Sequence, residues 1–381
     1  MFIYLALGHI HKLSTMKRVF LKIASAFICL LLFGTWTVKS QTVHLEALDA
    51  YWKIAAHLKQ GDTLSRQEWK QFLDLDGNKQ YIQSKGFDER FIENYRLAMQ
   101  IAYMPQNLEK VQRMLERKFD HWLVYRVHQY KVHEQELKSY AMRLKTPAYL
   151  DSVYKNAWNW LPERLHFKKP VDIYFIGIDN DVSVQKGAVV FTAWSAYVQD
   201  HLKYGSKVGH EMHHILRGAF STAKVNPADE GLLYALNAML NEGTADMIDK
   251  KYLLDHLQEL PDEYQSDCFL LSGSAQIIGQ IDSCIQVMAE SGAEKFNTVE
   301  QYQKLLKYSN GHNPGYFMTE VITRNGFKEE LLENIQNPFY FLRLYDKAAK
   351  KDKQHPVQFS ELSMNYCLAL EARLNLHQPQ R

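Results

Sequence analysis

One stretch of the chain decides the fold: residues 204–218, YGSKVGHEMHHILRG. His210 and His214 stand four residues apart, so on a helix their imidazoles share one face, one turn apart. Two histidines so placed can bind the same zinc ion, and Glu211 at their side can reach a water molecule on the metal. The stretch therefore predicts a helix that ends at Gly218 and carries two zinc ligands and a general base.

A neighbouring histidine competes for the role of second ligand. On a helix His213 lies about −60° from His210, whereas His214 lies about +40° from it. Ligation by His213 would require a rotated helix, so we expect His214 to bind the metal and His213 to pack beside the site. The alternative interpretation of the motif is a solvated helix with surface histidines.

A second acidic motif, LNEGTAD at residues 240–246, follows at a usable distance. A catalytic zinc site takes three protein ligands, and Glu242 is the candidate for the third. Asp246 lies one turn further on the same face, where it can accept the N–H of a ligand histidine. Gly243 and Ala245 are small, and we expect them to let this helix approach the histidine helix.

These residues resemble the gluzincins, zinc metallopeptidases with HExxH and a downstream Glu. In thermolysin-like gluzincins an Asp follows that Glu by four residues and orients a ligand histidine, as in the spacing of Glu242 and Asp246. The chain is also similar to exported bacterial proteins described as zinc-dependent peptidases, which share HExxH, Asn-Glu-Gly and a later Gly-Tyr in this order. The resemblance covers about residues 170–345 and implies a zincin-like catalytic fold, zinc and peptide hydrolysis.

The sequence also departs from the better-known gluzincins. Twenty-seven residues separate His214 from Glu242, more than in those enzymes, and we expect residues 227–238 to add a turn or a helix between the ligand helices. The chain lacks the Gly-x-Met-Glu-Asn segment with which the aminopeptidases hold a free N-terminus. The resemblance therefore does not carry aminopeptidase specificity to this chain.

Residues 310–318, NGHNPGYFM, contain the candidates for a residue that stabilises the oxyanion of the tetrahedral intermediate in peptide hydrolysis. Asn313 and Pro314 are typical of an N-cap and a first helical turn, which would direct Tyr316 inward. A tyrosine hydroxyl or a protonated histidine can serve this purpose, so Tyr316 is the first candidate and His312 the second. A simple turn with a packed aromatic residue is the alternative.

The rest of the chain predicts an α+β fold that is predominantly α-helical. Residues 41–168 form an N-terminal helical region, and residues 169–381 form the catalytic region with C-terminal helices. Strands are expected at residues 171–176 and 187–192, with a polar loop between them. By analogy with other peptidases, the second strand is expected to be the sheet edge along which an extended peptide lies. Helices are expected at residues 43–59, 88–103, 107–145 and 148–160.

The first 40 residues predict an export signal. Met16-Lys17-Arg18 precedes an apolar run at residues 23–34, and a cleavage site of small residues leaves Gln41 as the new N-terminus. We expect translation to start at Met16 and the protein to be periplasmic or secreted, touching the membrane only through this signal. An uncleaved membrane anchor is the alternative.

Charge argues against nucleic acid as a partner. The chain has 45 basic and 43 acidic residues, and five of the basic residues but none of the acidic ones fall within residues 1–40. The exported part therefore carries a net charge of −3, and a mildly acidic protein has no electrostatic attraction for phosphates.

Together these patterns predict an exported zinc metallopeptidase. His210, His214 and Glu242 are expected to bind Zn²⁺, and Glu211 to act as general base for a metal-activated water that attacks a peptide bond. Its substrate would be a peptide or protein, and the oligomeric state stays open. The alternatives are a zinc hydrolase of a non-peptide amide or ester, and a non-catalytic helical envelope protein with a vestigial zinc site.

Overall fold

A small sheet organises the first half of the molecule. The computed structural model describes residues 41–185, 187–218, 225–306 and 309–374, without the side chains of residues 266–271. The strands are β1 (Thr42–His44), β2 (Asp172–Ile176), β3 (Val182–Gln185) and β4 (Ala188–Thr192), in the order β1–β2–β4–β3. β1, β2 and β4 run parallel, and β3 is antiparallel to β4.

The sheet edge differs from the prediction. β4 lies between β2 and β3, and all five of its residues are buried, so the expectation that residues 187–192 form the edge is wrong. The strands at the two ends of this order are β1 and β3, and β3 follows the polar loop and pairs Val182 with Phe191. A strand of only four residues beside Asp179-Asn180-Asp181 carries too little alternating pattern to stand out from a loop.

Helices surround this sheet and continue to the end of the described chain. The helices before β2 are α1 (Glu46–Lys59), α2 (Arg66–Leu73), α3 (Asp76–Lys85), α4 (Glu89–Tyr103), α5 (Leu108–Leu115), α6 (Trp122–Val132), α7 (Glu134–Leu144) and α8 (Pro147–Trp158). Those after β4 are α9 (Ala193–Leu202), α10 (Ser206–Arg217), α11 (Glu230–Asp255), α12 (Asp262–Phe269), α13 (Ser274–Glu290), α14 (Val299–Leu305), α15 (His312–Arg324), α16 (Lys328–Glu333), α17 (Pro338–Ala349) and α18 (Glu361–Arg373). The fold is therefore α+β and predominantly helical, as predicted.

One expected element is divided. The stretch at residues 107–145 forms three helices, α5, α6 and α7, instead of one helical run. The last break falls at His133, whose φ of −105° and ψ of 25° leave helical geometry. The ring of His133 stacks on Trp194 of α9, 5.0 Å between centroids, so a tertiary contact accompanies the break.

Two hydrophobic cores meet at α11. The first core gathers the sheet, the helices before it, α9 and α10, whereas the second gathers α13, α14, α15, α17 and α18. The N-terminal half of α11, from Leu232 to Leu240, packs in the second core, and Leu253 near its end packs in the first. The middle of α11, which carries Glu242, therefore lies where the two cores adjoin.

The predicted regions before and after residue 168 are joined through the sheet. β1 comes from the N-terminal region and pairs with β2 of the second region, and Thr42–Arg381 groups as one compact unit. The boundary at residue 168 stays a prediction.

The predicted export signal and the start at Met16 fall within residues 1–40, outside the described residues. Within the described ranges no helix has both the length and the apolar character needed to cross a bilayer. Cys284 and Cys367 are free thiols.

Candidate metal centre

The motif HEMHH lies on α10, which starts after Gly205 and ends at Gly218. Gly218 adopts φ of 75°, a left-handed conformation that favours glycine, and this confirms the predicted helix end. Gly209 faces α8 so closely that a Cβ there would lie 2.8 Å from the Cβ of Asn156. This contact buries the first turns of α10, and His210 and Glu211 are only 3% and 6% exposed.

Glu242 lies in the middle of α11. Of the segment between the two motifs, residues 227–229 form a short 3₁₀ turn, and the residues from 230 onward are the first turns of α11 itself. The expected insertion is therefore a turn and a longer ligand helix, not a separate helix. The small Gly243 was expected to face the histidine helix, but it faces α15 instead. A Cβ at Gly243 would lie 2.2 Å from the carbonyl oxygen of Gly315, so the backbones of α11 and α15 touch.

A buried arginine ties α10 to α11. The Arg217 guanidinium donates hydrogen bonds to the side-chain oxygens of Asn241 (3.0 Å) and Asn237 (2.8 Å) on α11, and to the carbonyl of Ile335 (2.9 Å). Burial lowers the pKa of Arg217 to about 10, so it remains charged at neutral pH. Asn241 in turn donates to Glu242 Oε1 at 3.3 Å, which orients the carboxylate between the helices.

Three imidazoles converge on one oxygen of Glu242. Its Oε2 atom lies 3.3 Å from His214 Nε2, 3.4 Å from His312 Nε2 and 3.7 Å from His210 Nε2. Burial alone would raise the pKa of Glu242, but the His214, His210 and His312 imidazoles outweigh it and hold that pKa well below its usual range. Glu242 is therefore an ionised carboxylate among nitrogen donors.

This donor set fits zinc. Two imidazoles and a carboxylate are a common catalytic zinc set, and bonds of about 2.0–2.2 Å place neighbouring ligand atoms of a tetrahedron about 3.3–3.6 Å apart. The separations of Glu242 Oε2 from His214 and His210 are 3.3 and 3.7 Å, close to that spacing. The donor atoms of His210, Glu242 and His312 also lie within 4.8 Å of one another, so His312 belongs to the same cluster.

Two aspartates of α11 accept hydrogen bonds from the Nδ1 atoms of His210 and His312. Asp249 Oδ1 lies 2.9 Å from His210 Nδ1, whereas Asp246 accepts from His312 Nδ1 with both oxygens, at 2.9 and 3.0 Å. Asp246, expected from the sequence to orient a ligand histidine, lies 3.8 Å from His210 Nδ1, too far for a hydrogen bond. Burial opposes protonation of His210, but the Asp249 carboxylate outweighs it and raises the His210 pKa.

A cavity of about 690 Å³ opens beside the cluster. His210, Glu211, His214, Glu242 and His312 all line it. The edge strand β3 contributes Val182 and Val184 to its wall, next to the polar loop that precedes this strand. The cavity therefore joins the candidate zinc ligands, a buried carboxylate and a sheet edge.

The model of the family described as "Putative zinc dependent peptidase (DUF5700)" matches residues 69–354, which include the whole cluster. The chain belongs to this family. No curated protein and no solved structure matches the chain.

In this member of the family, the two oxyanion candidates, His312 and Tyr316, occupy different places. α15 begins at His312 with Gly311 as N-cap at φ 99°, so the predicted N-cap at Asn313 is wrong. A left-handed glycine starts the helix two residues earlier, and Pro314 falls inside the first turn, where its missing N–H costs nothing. As a result His312 lines the cavity, whereas Tyr316 is 7% exposed and is not among the lining residues.

His213 packs beside the site without joining its donors, with its ring centroid 5.9 Å from that of His214. Its side chain is fully buried, and Nε2 lies 3.2 Å from the carbonyl oxygen of Trp160. Burial lowers the pKa of His213 well below its usual range, so the ring is neutral.

Proposed function

We propose that this protein is a gluzincin-type zinc metallopeptidase in which His210, His214 and Glu242 bind Zn²⁺. The observation that carries the proposal is the convergence of both HExxH imidazoles on Glu242 Oε2, at 3.7 and 3.3 Å, beside the cavity. Under this proposal the region after residue 168 is a zincin-like catalytic unit.

Glu211 is the proton carrier of the proposed reaction. A bound zinc ion supplies a Lewis acid that polarises a carbonyl and acidifies water. Glu211 is buried at the cavity wall, one residue after His210, so its carboxylate can take a proton from an attacking water and pass it to the leaving amine nitrogen. A site with only a structural role has no use for such a base.

His312 is the donor we assign to the oxyanion. Asp246 accepts a hydrogen bond from its Nδ1 atom, and its Nε2 atom lies at the cavity, 3.4 Å from Glu242 Oε2. An N–H on Nε2 would donate to the substrate oxygen. A preorganised donor of this kind stabilises the negative charge that develops on a substrate carbonyl oxygen. Tyr316, the other candidate, lies on the same helix, is 7% exposed and is not among the residues that line the cavity.

A peptide is favoured over other amides or esters because a sheet edge lies in the cavity wall. Among the described residues β3 pairs with β4 on one side only, and an extended chain can add to the other side through backbone hydrogen bonds. Val184 of β3 is 48% exposed and is available to contact substrate side chains. With the proposed export signal, the substrates are envelope or external peptides and proteins.

Metal analysis tests the proposed ligands directly. We expect one zinc per chain in the wild type and loss of tight zinc binding in His210→Ala, His214→Ala and Glu242→Ala. The matched control is His201→Ala, an exposed histidine of α9 outside the cavity lining, which should keep its zinc. Zinc binding that survives the three ligand substitutions would overturn the assignment.

A further inference from the structure

Lys207 places a cation in the wall of the cavity. It lies on α10 one turn before Glu211, and both residues line the cavity. Its ammonium forms no ion pair or hydrogen bond with the residues that the structure describes. Burial opposes its charge, but the carboxylates of Asp249 and Glu211 outweigh burial and raise the pKa of Lys207, so it is charged at neutral pH.

The other charged groups of this wall already have partners within the described chain, Glu211 excepted. Lys250 Nζ lies 3.3 Å from Asp246 Oδ1, and Asp181 accepts from Lys85 at 2.5 Å. Asp249 and Glu242 face imidazoles of the metal cluster. Glu211 has its own role in proton transfer. Lys207 is therefore the charged side chain of this wall that remains to bind a charged group of a ligand.

Gln199 of α9 adds a second polar group to the same cavity. It is 6% exposed, lines the cavity, and its Oε1 atom has no hydrogen-bond partner among the described residues. The next residue, Asp200, accepts the backbone N–H of Lys207 at 3.3 Å, which holds the end of α9 against the start of α10. A buried carboxamide oxygen without a partner is costly unless a ligand hydrogen-bonds at that position. The oxygen and nitrogen ends of the carboxamide can exchange by a flip, which turns an N–H donor to the same position.

We propose that Lys207 and Gln199 form a carboxylate-binding subsite, so that this peptidase selects peptides with a carboxylate near the scissile bond. The proposal rests on the proposed peptidase function. An ammonium and an amide N–H are the donors that a carboxylate accepts, and such charge-assisted bonds are strong when partly shielded from water. The carboxylate belongs either to an Asp or Glu side chain or to the C-terminus of the peptide.

Cleavage of matched peptides tests the subsite. The probes are internally quenched hexapeptides in which Asp or Asn is scanned through each position, each made with a free or an amidated C-terminus. We expect the zinc-loaded wild type to favour one carboxylate position at least 10-fold in kcat/KM over its amide counterpart. Lys207→Met should reduce that ratio to below 3-fold, and Lys207→Arg should retain most of it. The preferred position shows whether the side chain or the C-terminus is bound.

The comparison also separates selectivity from an effect on Glu211. If Lys207→Met lowers kcat equally for acid and amide peptides, Lys207 acts on the base and the subsite is refuted. An unchanged ratio in Lys207→Met refutes it as well. Lys53→Met, at an exposed lysine of α1, is the matched control and should leave the ratio unchanged.

A binding measurement keeps this inference separate from peptidase activity. Fluorescein-labelled versions of the same peptides are titrated with zinc-loaded Glu211→Gln protein, with and without Lys207→Met, and anisotropy is recorded. A carboxylate preference that depends on Lys207 supports the subsite even if no peptide is cleaved, which would refute only the peptidase function. Absence of that preference refutes the subsite whatever the cleavage result.

Discussion

Substitution of Asp249 should weaken zinc binding, because Asp249 is the carboxylate that orients His210. The two side chains meet at 2.9 Å, and Asp249 is only 3% exposed, so water cannot replace it. Partners of this kind typically contribute 10- to 100-fold to metal affinity. Asp249→Asn keeps an acceptor but loses its charge, and a charged hydrogen bond exceeds a neutral one by about 1.5 kcal/mol. We therefore expect about 10-fold weaker zinc binding for Asp249→Asn and about 100-fold for Asp249→Ala.

Substitution of Asp246 should affect zinc affinity less than substitution of Asp249. Asp246 is 3.8 Å from His210 Nδ1 but bonds to His312, so Asp246→Asn should change zinc affinity less than 3-fold while it lowers kcat/KM. Zinc affinity is measured by competition with a chromophoric chelator, and circular dichroism confirms that each variant is folded. Asp151→Asn, at an exposed ion pair with Lys168, is the control. Equal loss of zinc affinity in the Asp246 and Asp249 variants would refute the reasoning.

His312→Gln should lower kcat/KM about 100-fold and change zinc affinity less than 3-fold, and a loss of zinc beyond 10-fold would make His312 a ligand instead. Burial raises the pKa of Asp200 to about 6, which means that the folded protein holds this proton more tightly than the unfolded chain does. The contribution of Asp200 to the free energy of unfolding is therefore complete below its usual pKa of 3.8 and is lost as pH rises through 6. Asp200→Asn should therefore gain about 1 kcal/mol over the wild type between pH 5 and pH 8 in urea unfolding, and a pH-independent difference would contradict this. Gly243→Ala should lower the free energy of unfolding by about 1–3 kcal/mol through its clash with Gly315, whereas Gly279→Ala, where a Cβ meets nothing, should not lower it.

The features that local spacing controls could be predicted from the sequence. His210 and His214 share a helix face whenever the residues between them are helical, and Gly218 ends that helix in either context. Glu242 could be named as a partner because the chemistry of a zinc site requires a third donor. The predominantly helical α+β class also follows from the spacing of apolar residues.

The pairing of carboxylates with imidazoles could not be predicted, because it depends on how separate helices meet. Asp249 lies on the same face of α11 as Glu242, two turns further, but only the packing of α10 on α11 shows that it reaches His210. His312 reaches Asp246 because Gly243 and Gly315 let two backbones touch. The short edge strand β3 was missed for a similar reason, since its pairing with β4 defines it more than its four residues do.

The measurement that tests the central claim most directly compares the wild type with Glu211→Gln for zinc content and for cleavage of a diverse peptide library. Glu211 is not a proposed ligand, so both proteins should bind one zinc per chain. The wild type should cleave peptides, and Glu211→Gln should cleave them about 1,000-fold more slowly, since its amide cannot accept a proton from water. Equal cleavage by both proteins, or bound zinc with no cleavage that depends on Glu211, would contradict the account.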